Sequence, residues 1–169
     1  QVEEARKYID TEFAALKELL SYEKTDSQDM SLEKVDKWVK DLASYNHIKA
    51  TLFISCIAFN SNFISYPVGN IILKLQEMGV DLNAKFKFSS ESTALNVAAN
   101  CQNYKVISAL LEAEADPNIP NEYGDTPLHE ACLLGDLTIV KMLVEVNANL
   151  NAQNECGGTS LIVASTFGY

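Results

Sequence analysis

The feature that most narrows the folds open to this chain is a period. Sliding the sequence by 33 positions lays Thr93 on Thr126 on Thr159, Leu95 on Leu128 on Leu161, and Ala98 on Ala131 on Ala164. The alignment persists downstream, with Val106 on Ile139, Ile107 on Val140, Leu110 on Leu143, Glu112 on Glu145, Ala115 on Ala148 and Asn118 on Asn151. A chain that repeats at this interval stacks copies of one small supersecondary unit, none of which can bury its apolar surface alone.

The unit is clearest in GDTPLHEACLLGDLTIVKMLVEVNANLNA, Gly124 to Ala152. Thr126 can cap a helix with its hydroxyl, and Pro127 fits the first helical position, where its missing N–H is no loss. Leu128, Ala131 and Cys132 follow at helical spacing, and the small Ala131 and Cys132 allow a neighbouring helix to come close. Gly135 stops this helix because it tolerates positive φ. The next segment has Leu137, Ile139, Val140, Met142, Leu143, Val144 and Val146 against only three polar positions, so it predicts a second helix covered from two sides. After that helix the three units carry Gly79, Glu114 and Asn147; if the backbone is left-handed there, glutamate is strained by about 1 kcal/mol. His129, three residues past Thr126, can turn its ring back to the capping threonine, and this structural role is favoured over nucleophilic chemistry with Cys132, because no third group is placed to orient such a pair.

The 33-residue period with TPLHEAC, GDLTIVKMLVE and ANLNA resembles the ankyrin repeat, over about residues 50–169. The resemblance implies an all-α solenoid of helix-turn-helix units with β-turn fingers. Two units look complete, 88–120 and 121–153; one at 50–87 is divergent but keeps MGVDLNA, and one at 154–169 ends after its first helix. A native protein continuing past Tyr169, or a stable fragment, is expected from that half unit. Thr126, Pro127, Leu128, His129 and Gly135 are the motif residues, with a structural role.

The same resemblance implies binding of another protein through the finger tips and the first-helix positions of the concave face, where the units differ. Those positions give Phe86, Phe88, Glu91, Glu122, Tyr123, Asp125, Glu130 and Leu133 as candidate contacts. Exposed aromatic rings are frequent interface anchors, although Phe86 or Phe88 could equally fold back over the divergent unit. The finger KFKFSSES is two residues longer than its counterparts. The alternative is the targeting region of a larger enzyme or injected bacterial effector whose chemistry lies elsewhere; a bare structural spacer is a third reading.

Residues 1–49 predict two amphipathic helices, one along Ala5, Ile9, Phe13, Leu16 and Leu20 and one, capped by Ser31, along Leu32, Val35, Trp38, Val39 and Leu42. They are read as a helical cap for the array, with an upstream domain's end or a dimerising hairpin as the alternative. Charge bears on the partner: 23 acidic against 13 basic side chains give −10 overall. Residues 51–169 carry 12 acidic and 5 basic groups, net −7. Such a surface disfavours nucleic acid and anionic membranes and suits a basic or apolar protein segment. No apolar run has membrane-spanning length. Cys56, Cys101, Cys132 and Cys156 form no C-x-x-C pair, and neither they nor His47 make a metal or protease motif, so no cofactor, metal or catalytic residue is expected and the setting is cytoplasmic, or a host cytosol for an effector.

Overall fold

The computed structural model describes residues 68–85 and 90–169. The two helices expected in residues 1–49, the first helix expected in the divergent unit, His47, Cys56, Phe86 and Phe88 lie outside the described residues. By contact density the chain divides into Gln1–Lys37 and Trp38–Tyr169, and every described residue belongs to the second unit.

Six helices are described: α1 Val68–Glu77, α2 Ala94–Asn100, α3 Tyr104–Glu112, α4 Pro127–Leu133, α5 Leu137–Glu145 and α6 Ser160–Phe167. The described residues form no β-strand, only an isolated bridge between Gln153 and Thr159. First helices stack on first helices, α2 on α4 on α6, while second helices stack as α1 on α3 on α5. Within a unit α2 packs on α3 and α4 on α5. The all-α solenoid that the resemblance implies is the architecture of the described residues.

Each first helix starts at the repeating threonine. Thr93, Thr126 and Thr159 hold extended backbone as N-caps, and proline occupies the first turn of α4. Asn103 and Asp136 cap the second helices, Asp136 by accepting from the Thr138 and Ile139 amides at 3.0 and 3.2 Å. Leu95, Leu128, Ile107, Leu110, Ile139 and Leu143 form the buried seam between helix layers. Ala98 and Ala131 are fully buried, as expected where helices approach closely.

The turn after each second helix is left-handed, with φ of 80° at Gly79, 58° at Glu114 and 61° at Asn147. The turn after each first helix repeats the pattern at Gln102, Gly135 and Gly168, φ 54°, 66° and 86°. Asparagine side chains tie successive turns together: Asn83 Oδ1 accepts from the Asp116 amide at 2.9 Å and Asn118 Oδ1 from the Asn149 amide at 2.7 Å. Those pairs stand 33 and 31 residues apart, which is how the array absorbs two extra finger residues without losing the contact.

One expectation needs correction. Helix α5 is covered from one side only, by α3 and α4. Ile139 and Leu143 are buried, whereas Leu137 is 63% exposed and Val144 and Val146 are also exposed. Its other flank borders an apolar groove of about 760 Å³ shared with α4 and α6, lined in part by Leu128, Val140, Leu161 and Tyr169. By the translation of the repeat, this is where a second helix following α6 would stack. Ser160 Oγ, at its edge, is buried with no hydrogen-bond partner.

Candidate partner-binding surface

The fingers are held by one hydrogen-bond scheme used twice. Asn121 Oδ1 accepts from the Tyr123 and Asp125 amides at 2.9 and 3.0 Å, and Asn154 Oδ1 accepts from those of Cys156 and Gly158 at 3.1 and 2.9 Å. Consecutive fingers are joined by backbone bonds, Glu122 N–H to Ser90 O at 2.8 Å and Glu155 N–H to Tyr123 O at 3.0 Å. Such a ladder fixes the finger backbone and leaves the tip side chains to solvent.

His129 belongs to this scaffold. The Thr126 amide donates to its Nδ1 at 3.1 Å, and the Thr126 hydroxyl lies 2.9 Å from the same nitrogen. An accepting Nδ1 assigns the ring hydrogen to Nε2, which donates to the Gly158 carbonyl of the next finger at 3.1 Å. Asn96 does the same one unit earlier: its Oδ1 accepts from the Thr93 amide at 3.0 Å and its Nδ2 donates to the Asp125 carbonyl at 3.3 Å. Both imidazole nitrogens are thus engaged, Nδ1 at the cap of its own helix and Nε2 in joining this repeat to the next. Burial pushes the Cys132 thiol up, and burial together with the Glu130 charge does so at Cys101, so both thiols stay protonated and weakly nucleophilic at neutral pH. Among the described residues, no group of three or more His, Cys, Asp or Glu could hold a metal ion.

The remaining candidates have diverse surroundings. Glu91 and Glu122 are exposed, and Glu91 has a left-handed φ of 45° at the place taken by Gly124 in the next finger. Tyr123 is 56% exposed. Asp125 is half-buried, its carboxylate accepting from Asn154 Nδ2 at 2.8 Å. Leu133, near the end of α4, is exposed.

Glu130 is the unusual member. It lies half-buried between α2 and α4, with Oε2 accepting from Asn100 Nδ2 at 2.9 Å and Oε1 from Asn121 Nδ2 at 3.1 Å. Burial pushes its carboxyl above the usual range; the Asn100 bond opposes this and the Asp125 charge adds to it. A cleft of about 200 Å³ opens at this carboxylate, walled by Ser92, Asn96, Val97, Asn100, Asn121 and Tyr123. The structure therefore brings Tyr123 and Glu130 to one cleft, and leaves Glu91, Glu122, Asp125 and Leu133 outside its lining. Sequence reasoning missed the asparagines. The signal was present in the alignment, since Asn96 stands where His129 does, Asn100 where Leu133 does, and Val97 where Glu130 does.

The stacked first and second helices, the threonine caps and the repeated finger ladder are matched by a family model. Ankyrin repeats, in three copies, align with residues 47–154. The chain belongs to the ankyrin-repeat family. Ankyrin repeats are in general protein–protein interaction elements and are as a rule non-catalytic. No curated protein sequence matches the chain. Among the described residues no helix is long and apolar enough to cross a membrane.

Proposed function

We propose that the chain binds a partner protein across its finger tips and first helices, with Tyr123 as the aromatic anchor and Glu130, Glu122 and Glu91 as an acidic rim. The observation that carries this reading is the exposed Tyr123 ring beside the half-buried Glu130 cleft, on fingers whose backbone is held by bonds to the neighbouring repeat. Rigid presentation keeps the ordering cost of binding low, and aromatic residues at such places carry much of the affinity in interfaces. The acidic rim favours a partner segment with basic or apolar side chains. Asp125 takes part by fixing the fingers, and Leu133 extends the surface toward the end of α4. A reducing compartment, the cytoplasm, suits the free cysteines Cys101, Cys132 and Cys156.

The test is a paired pull-down with the purified chain and a Tyr123→Ala/Leu133→Ala variant of matched circular dichroism, quantifying captured proteins by mass spectrometry. A protein held by the first bait and lost from the second supports the surface. Equal capture by both would remove it from consideration.

A further inference from the structure

We infer that the cleft between α2 and α4 receives one arginine side chain from an extended segment of the bound partner, paired with Glu130, lined by Val97 and covered by the Tyr123 ring. This rests on the partner-binding reading above and names the chemistry the surface selects. The space of about 200 Å³ far exceeds the ~10–15 Å³ that one water requires, so it admits a side chain.

The carboxylate is already oriented. Each Glu130 oxygen accepts one amide hydrogen, from Asn100 and from Asn121. A carboxylate offers about four lone-pair sites, so about two remain, one on each oxygen. That is the pattern a guanidinium edge satisfies with two parallel N–H donors, whereas an ammonium meets it only as a point charge. Asn121 cannot rotate to compete, because its Oδ1 already accepts from the Tyr123 and Asp125 amides.

The walls fit the rest of that side chain. Val97 supplies an apolar surface for the methylene stem, and Tyr123, more than half exposed at the rim, offers a ring face to a planar cation. Asp125 adds its negative charge to that of Glu130, which the Asn100 and Asn121 amides ease only by hydrogen bonding. A partner cation would supply the compensation.

The arrangement also occurs once among the described repeats. One unit later Val163 stands where Glu130 does and Leu133 where Asn100 does, while Asn154, the counterpart of Asn121, gives its Nδ2 to Asp125 at 2.8 Å. A single arginine position per partner segment is therefore expected.

The whole 169-residue chain is used to select from random displayed hexapeptides, and the recovered sequences are remade with arginine replaced by citrulline, which keeps the shape and removes the charge. Arginine at one fixed position, an affinity loss of about tenfold or more with citrulline, and no further loss from citrulline on a Glu130→Gln chain support the site. Should Glu130→Gln fail to fold by thermal melt, the citrulline comparison on the unaltered chain decides alone. Selected peptides that lack arginine, or that bind equally with citrulline, overturn the inference; if those peptides still lose binding to a Tyr123→Ala chain, the protein-binding surface survives without it. Peptides indifferent to both substitutions sink both readings.

Discussion

Gly124 and Gly157 occupy the same place in consecutive fingers and share a left-handed backbone, φ 78° and 75°, yet their replacement by alanine should have different consequences. At Gly157 a Cβ would meet nothing within 4 Å. The substitution there costs the left-handed strain alone, about 1 kcal/mol. At Gly124 the Cβ would come to 2.7 Å from Glu155 N and 2.9 Å from Asn154 Cα, against the 3.4 Å where ordinary contact begins. These are backbone atoms of the next finger, so the finger must retreat by about 0.7 Å, the difference between those distances. That retreat stretches Glu155 N–H to Tyr123 O, now 3.0 Å, and strains the His129 bond to Gly158 O. Weakening two such bonds adds about 1–2 kcal/mol, giving about 2–3 kcal/mol in all. Urea unfolding followed by circular dichroism at pH 7 measures both variants; Gly124→Ala should be the less stable by at least about 1 kcal/mol, equivalent to a melting difference of about 2–4 °C. Equal destabilisation would refute the claim that the finger ladder is a rigid, closely packed unit.

The same geometry gives further expectations. Glu114→Gly relieves a left-handed residue at φ 58° and should stabilise the chain by about 0.5–1 kcal/mol, whereas Gln102→Gly at φ 54° also removes the Gln102 bond to Asp136, 2.8 Å, and should come out near neutral; paired urea titrations compare them. His129→Ala deletes the bonds that join Thr126 to the Gly158 carbonyl and should cost about 2–3 kcal/mol in the same assay, with His129→Asn recovering a good part because Asn96 already performs that task one repeat earlier. At Asp136 burial pushes the carboxyl up, but hydrogen bonds from Tyr104, the Ile139 amide, Gln102 and the Thr138 amide together outweigh it and hold the group below its ordinary value. A depressed folded value makes its contribution complete above the unfolded value of about 3.9 and lost as pH falls through the folded one. Asp136→Asn should accordingly lose about 1–2 kcal/mol at neutral pH and show a shallower decline in urea midpoint below about pH 4.

The period, the threonine caps and the left-handed turns were legible because each is written in residues close in sequence. Thr126 and Pro127 mark a helix start by their own chemistry, and Gly79, Glu114 and Asn147 at one place in three units carry the signal of a left-handed turn that strains the glutamate. The left-handed turn at Gln102 is disguised, because glutamine carries no turn signal of its own and only its alignment with Gly135 marks it. What the sequence could not display were the contacts that cross between repeats. The ring of His129 was traceable to its own threonine, but its second partner, the Gly158 carbonyl, depends on how closely consecutive fingers stack. For Glu130 the position was visible and the surroundings were not: Asn100 and Asn121 reach it from a preceding helix and a finger, so only packing creates the cleft. Coverage of α5 was overestimated for a related reason, since an apolar composition states what a helix can bury and the neighbouring helices decide what it does bury.

The claim that Tyr123 presents the recognition face is tested most directly by placing a photoreactive p-benzoylphenylalanine at position 123 in one chain and at Glu145, exposed on α5, in another, then irradiating each in lysate and identifying adducts by mass spectrometry. Cross-linking of one discrete protein from position 123 and not from position 145 is the predicted result. Adducts from position 145 alone would move recognition to the second-helix side and contradict the account.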